Sequence, residues 1–306
     1  MHATVLKYFT EVARCGSVRA AAQNLFVASS AINRQILKLE DELGTELFDR
    51  VPSGMRLNPA GERLLRHVRA TLHDFHLMRS ELDALQGQRT GHVSVVAMDS
   101  LFVDFLPAVV EDFSEAYPAV TYTLIAAPPV QVPDKVASGE FDIGICFIGR
   151  LPAGVTVAAQ APFPPGVVMA SSNPLSARSE ITFDECRSQP VMRFEGKSPI
   201  HSVVSQGFFD FWESLTPAIT CNATPMIKQL LLAGKGISFF SKLAFLQEIA
   251  RGEIVWRPFA DPAISALQAG VIVPAQRVLP HVTQAFLERI VRRFRQIEAT
   301  ASVTLR

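Results

Sequence analysis

Apolar residues in the first quarter of the chain recur at helical spacing, and from about residue 92 the pattern changes to short strands separated by helices. Residues 1–15 place Leu6, Phe9, Val12 and Ala13 on one face, which predicts a first amphipathic helix. Ser17 precedes a run in which Ala21, Ala22 and Leu25 share a face, so Ser17 is the expected N-cap of a second helix. After Phe26 and Val27, the small residues Ala28, Ser29 and Ser30 open a third helix. There Ile32, Ile36 and Leu39 point inward, while Ser29, Ser30, Asn33, Arg34 and Lys38 remain outside. Two short helices meeting at a tight junction, the second with an uncovered polar and basic face, suit a helix-turn-helix. An ordinary helical hairpin with a wetted polar face has the same spacing.

Asp49 to Asn58 contains Pro52-Ser53-Gly54, a turn signal between two short extended pieces. This predicts a two-stranded wing carrying Arg50 and Arg56. Asn58-Pro59 then starts a long helix, with Asn58 as N-cap and Pro59 at the first helical position. Within it Leu64, Val68, Thr71, Phe75, Met78, Leu82 and Leu85 alternate spacings of four and three, the repeat of a coiled-coil seam. A helix lying on its own domain is the other reading of that stripe. Gln86 to Gly91 is the expected hinge.

From His92 onward HVSVVAM, AVTYTLIA and FDIGICF read as strands, separated by helices at 102–117 and in VPDKVASGE. A second series follows: GVVMAS, PVMRF, a helix around 201–215, AITCN, a helix at 225–233, GISFF, a helix at 241–250 and EIVWRP. ALQAGVIV and a final helix at 280–297 close the chain. Strands separated by helices of this length imply parallel β/α units.

Composition narrows the class. The 306 residues allow about two domains, and 48% hydrophobic with 19% charged residues describes a globular chain. No apolar run reaches the roughly 18–20 residues of a membrane span. The N-terminus lacks a charged leader, a continuous apolar core and a cleavage site, which predicts a cytoplasmic protein. The formal net charge is zero, yet residues 1–70 hold ten basic and seven acidic side chains. A local excess matters more than the total for phosphate contact, because screening limits its reach to about 8–10 Å.

The spaced set Ala21-Ala22, Leu25, Ser29, Ile32, Ile36, Leu39-Glu40, Leu43-Gly44, Leu47-Phe48, Arg50 and Leu57-Asn58-Pro59-Ala60-Gly61 resembles the LysR-type transcriptional regulators. The resemblance implies an α/β protein in three parts. These are a winged helix-turn-helix over 1–58, a dimerising linker helix and hinge over 59–90, and an effector-binding domain over 91–306. The last would be periplasmic-binding-protein-like (type 2). Subdomain I would span about 91–162 and 267–306 and subdomain II about 163–266, with crossings near the proline-rich APFPPG and ADPA. The resemblance further implies double-stranded DNA as partner, read as an interrupted inverted repeat, a homodimer through the linker helix and a homotetramer of paired dimers. Three departures from the family pattern, Ala28, Ser29 and Asn33, bear on base preference. They also lead us to expect that Ser29 takes over the helix cap.

For DNA, the candidates are Ser29, Ser30, Asn33, Arg34 and Lys38 on the third helix and Arg50 and Arg56 on the wing. Arg and Lys supply salt-dependent phosphate attraction, and Asn33 or Arg34 can meet base edges. For the effector, Ser100 and Thr224 precede expected helices, where free N–H groups favour anions. The resemblance adds residues near Val130, Phe147 and the 194–198 loop, and Phe102, Phe194 and Glu195 complete the candidate set. If the aromatic residues line a cleft, the ligand is small with an apolar part and an anionic end; core packing is their other reading.

No GxSxG, HExxH, P-loop or GxGxxG occurs, the seven histidines form no ligand spacing, and no cofactor is expected, which argues against an enzyme. His73 and His76, three apart on the linker helix, are more readily a wet face than a metal pair. Cys15, Cys146, Cys186 and Cys221 are scattered and read as small buried hydrophobes. Some members of the resembling family sense oxidants through a cysteine pair, for which Cys186 and Cys221 are the candidates.

Overall fold

The computed structural model describes residues 3–52, 54–85, 90–195 and 206–303. Ser53 of the wing turn, Gln86 to Arg89 of the hinge and the 196–198 part of the expected polar loop lie outside the described residues. The chain divides into two compact units, Met1–Arg79 and Ser80–Arg306.

The first unit is built from helices α1 (Ala3–Cys15), α2 (Val18–Leu25) and α3 (Ser29–Leu43), strands β1 (Phe48–Val51) and β2 (Gly54–Leu57), and helix α4 (Pro59–Leu85), most of which belongs to it. Phe9, Val12, Ala21, Ala22, Ile32, Ile36, Leu39, Leu47, Phe48 and Val68 form its core. The small Ala21 and Ala22 let α2 cross α1 and α3 closely, and Phe9 meets Phe48 with ring centroids 5.4 Å apart. Ser17 caps α2 as expected, its Oγ accepting from the Ala20 N–H at 3.3 Å. β1 and β2 pair antiparallel as the wing. Asn58 caps α4 through Oδ1, which accepts from the Gly61 N–H at 2.9 Å, while its amide donates to the Glu46 carbonyl. A Cβ at Gly61 would collide with the Leu47 carbonyl, so glycine is required where α4 leaves the wing. Gly54, at φ +133°, sits against the Gly16 carbonyl in the same way and fastens the wing turn to the end of α1.

The seam on α4 is divided. Val68 is buried and Leu64 is packed in the core of its own unit, so the upper part of the stripe is intradomain packing. Leu72, Phe75, Met78 and Leu82 are exposed.

In the second unit, strands β3 (Thr90–Ala97), β4 (Ala119–Ala126) and β5 (Ile143–Phe147) are parallel, as expected. They join β6 (Val155–Ala161) and β12 (Ala269–Pro274) in the order β4-β3-β5-β12-β6. β12 runs antiparallel to both of its neighbours, which corrects the expectation of parallel units throughout. A returning strand without a crossover helix enters from the opposite end. The sheet is covered by α5 (Phe105–Ala116), α6 (Val132–Ala137) and α12 (His281–Val303), with Phe113 set edge-on against Phe286 at 5.0 Å.

The second sheet centres on β7 (Pro165–Ala170), buried along its whole length between the antiparallel β10 (Ile237–Ser241) and β11 (Ile254–Pro258). β8 (Met192–Phe194) and β9 (Ile219–Cys221) pair parallel, and a bridge from Val191 to Ile237 joins them to β10. The helices here are α7 (Phe183–Arg187), α8 (Gln206–Ser214), α9 (Thr224–Leu232), α10 (Leu246–Ala250) and α11 (Pro262–Ser265). Residues 162–164 and 259–268 carry the chain between the two sheets, near the proline-rich stretches. Among the described residues no helix is long and apolar enough to cross a membrane.

Candidate nucleic-acid interface and effector cleft

In α3 the buried Ile32, Ile36 and Leu39 fix one face against the core, which turns the opposite face to solvent. Ser29, Ser30, Asn33, Arg34 and Lys38 are all exposed there, and Arg50 and Arg56 are exposed on the wing. Lys38 pairs loosely with Glu42 at 3.8 Å and Arg56 with Asp49 at 3.7 Å, distances at which an exposed pair holds its partner weakly. The expected shift of the cap to Ser29 does not occur. Ala28 is the N-cap and offers no side-chain bond, because Ser29 already has helical geometry as the first residue of α3. The first-turn N–H groups of α3 therefore end at the same surface as the cations, where a phosphate oxygen is a suitable acceptor. Phe26, 94% exposed and left-handed at φ 55°, forms the corner before α3.

The second unit holds a cavity of about 560 Å³ between its two sheets. Strand ends supply its walls. Met98, Asp99 and Ser100 follow β3, Ala126 ends β4 and residues 127–131 follow it, and Phe147 ends β5. From the other sheet come Phe194 and Glu195 after β8, Asn222 and Thr224 after β9, and the end of β10. These are mostly the carboxyl ends of strands, where α/β folds leave room for ligands because the following helices turn away.

Of the expected effector residues, Ser100, Val130, Phe147, Phe194, Glu195 and Thr224 line this cavity. Phe102 does not line it; the ring packs against the main hydrophobic core, so the core reading holds for it. Neither expected capping hydroxyl caps. Ser100 lies inside a 3-10 turn, Asp99–Phe102, and α5 begins only at Phe105. Thr224 is itself the first residue of α9, and its hydroxyl donates to the Asp99 carboxylate from the other sheet. The helix-end argument for an anionic ligand thus loses both hydroxyls. Asp99, Trp212, Phe239 and Phe240 also line the cavity and carry no local sequence signal that marks them.

Cys146 and Cys186 are fully buried, which pushes each thiol up to about 12. All four cysteines are free, and Cys221 lies with Sγ 3.6 Å from Met226 Sδ. Cys186 and Cys221 therefore do not form a disulfide here. Among the described residues no group of three or more His, Cys, Asp or Glu could hold a metal ion.

The profile of the bacterial regulatory helix-turn-helix proteins of the lysR family matches residues 4–62, and that of the LysR substrate binding domain matches residues 86–295. The chain belongs to the LysR family. It is accordingly a DNA-binding transcriptional regulator with an effector-binding domain, a class whose named relatives are regulators and not enzymes. A LysR relative from Synechococcus elongatus, named Probable nitrogen assimilation transcriptional activator, is 26% identical over 289 residues, spanning 94% of this chain and 90% of that protein. The HTH-type transcriptional regulator CbbR of Rhodospirillum rubrum is 28% identical over 254 residues, spanning 83% and 84%. Among solved LysR-type folds, a full-length OxyR variant from Pseudomonas aeruginosa superposes with a TM-score of 0.62 at 20% identity, covering 96% of this chain and 95% of that one. Full-length CbnR crystallised with its target DNA superposes at 0.55 with 20% identity, covering 96% and 100%.

Proposed function

We propose that α3 and the wing of this LysR-family chain read double-stranded DNA, and that a small molecule held between the two sheets of the second unit controls the binding. One observation carries the DNA side: Ser29, Ser30, Asn33, Arg34, Lys38, Arg50 and Arg56 are exposed together, while Ile32, Ile36 and Leu39 anchor α3 from behind. The crystallisation of CbnR with its target DNA agrees with that assignment. A second copy of the chain covers the apolar stripe Leu72, Phe75, Met78 and Leu82, giving a homodimer that pairs again into a homotetramer. Two-fold pairing of the reading helices calls for an interrupted inverted repeat in the DNA. Effector binding shifts the population of subdomain arrangements by its differential affinity for them. The cytoplasm is where such a protein meets its operator.

The test is fluorescence anisotropy with the DNA flanking the coding region, repeated across a salt series. Arg34→Ala is expected to weaken binding and reduce the salt slope by about one. Unchanged affinity at low and high salt removes Arg34 from the interface.

A further inference from the structure

We propose that the cavity of the second unit takes a positively charged amine carried on an aromatic or bulky apolar body. The inference rests on the reading of that cavity as the effector site and adds the chemical class of its occupant. Its walls are rings drawn from both sides: Phe147 from the first sheet, Phe194, Phe239 and Phe240 from the second, and Trp212 from α8. At about 560 Å³ it falls inside the range of roughly 300–1,000 Å³ usual for small-molecule sites.

Among the described lining residues two are charged, and both are carboxylates. Asp99 follows β3 and Glu195 follows β8, so they approach the space from opposite sheets. The N-terminus of α9 would ordinarily favour an anion, but here that place is taken. Asp99 accepts from the hydroxyl of Thr224, the first residue of the helix, and Pro225 at the next position has no N–H to offer. A helix end carries about half an elementary charge, against two carboxylates, so the described lining residues favour a cation. The Arg193 guanidinium lies 5.9 Å from the Trp212 ring centroid and is not among the lining residues. An incoming carboxylate would meet two like charges. An ammonium group meets two opposite charges and the negative faces of several rings.

The experiment uses the full chain and three indoles of matched shape: tryptamine (cationic), tryptophol (neutral) and indole-3-acetate (anionic). Affinities are measured by titration calorimetry on the native protein and on Glu195→Gln, an exposed position where the substitution leaves packing intact. Tryptamine is expected to bind tightest, with indole-3-acetate weaker by at least about tenfold. Glu195→Gln is expected to weaken tryptamine by about tenfold and leave tryptophol unchanged. Indole-3-acetate binding tighter than tryptamine overturns the charge class while retaining the cavity as the effector site. Equal binding of all three that ignores Glu195→Gln and also ignores Phe147→Leu places the ligand elsewhere and overturns the site itself. No heat from any of the three at millimolar concentration overturns the aromatic seat.

Discussion

Lys228 in α9 lies with Nζ 3.9 Å from the Asp104 carboxylate and 3.0 Å from that of Glu248, so one ammonium serves two buried acids from opposite sheets. Asp104 precedes α5 on the first sheet and also accepts from the Gln247 N–H at 3.0 Å. Burial pushes the Asp104 carboxyl up, against the pull of the Gln247 N–H and Lys228. Burial acts on Glu248 too, but its bond to Lys228 and the charge of Arg251 leave it below the usual carboxylate range. Lys228→Met leaves two buried acids facing each other and is expected to destabilise the second unit by about 3 kcal/mol. With the cation gone the Asp104 carboxyl, already raised by burial, loses one of the charges that hold it down, so the deficit grows as pH rises. Denaturant unfolding at pH 5 and pH 8 checks this, and adding Asp104→Asn should recover part of the loss. Equal deficits at both pH values would show that the ammonium is not what neutralises the pair.

In the first unit, Glu11 is held down to about 2 from 4.5, chiefly by the Arg14 guanidinium at 2.6 Å and also by the Asn24 amide at 2.9 Å. A depressed carboxyl stabilises the fold fully above its unfolded value and loses that contribution as pH falls through its folded one. Glu11→Gln is therefore expected to cost about 1 kcal/mol near neutral pH, with the difference from the native protein closing between pH 4.5 and about 2. Thermal melts across that interval measure it. A gap independent of pH would mean that lost packing, not lost charge, is responsible.

Phe26 occupies a left-handed conformation that suits Asn or Gly far better than an aromatic residue, and its ring has almost no contact with the fold. Phe26→Asn should raise stability by about 1 kcal/mol. If the ring rests on the duplex beside α3, the same variant binds operator DNA more weakly. A variant that is both less stable and less able to bind DNA would point instead to a structural role.

Thiol chemistry should be quiet in the native state. With Cys146 and Cys186 near 12, the thiolate that attacks peroxide or a disulfide reagent is scarce at neutral pH. Titration with an aromatic disulfide is expected to label Cys15 and Cys221 first, and all four only after unfolding. Rapid labelling of Cys186 in the folded chain would reopen redox sensing.

Local features were legible in the sequence, and long-range ones were not. Ser17 and Asn58 cap helices by bonds to residues three positions away, so a few letters carry the whole interaction. The outward face of α3 follows from periodicity alone. By contrast β6 carries little strand signal of its own, since VTVAAQA is a half-exposed edge with several small and polar residues. The antiparallel entry of β12 depends on where the chain has come from, which no window of residues records. Asp99 and Thr224 meet across 125 positions, and that meeting removed the hydroxyl on which the anionic expectation stood.

Because the first turns of α4 are embedded in the winged core through Val68 and Gly61, the azimuth of Leu72, Phe75 and Met78 about the helix axis is locked to that of α3. Each residue of α-helix advances about 1.5 Å and turns about 100°. A single residue inserted between Val68 and Leu72 would thus swing the exposed apolar stripe a quarter turn and more away from its place while leaving the exposed face of α3 intact. In the proposed homodimer, the spacing of operator half-sites would be gauged by this short length of helix, far from any base.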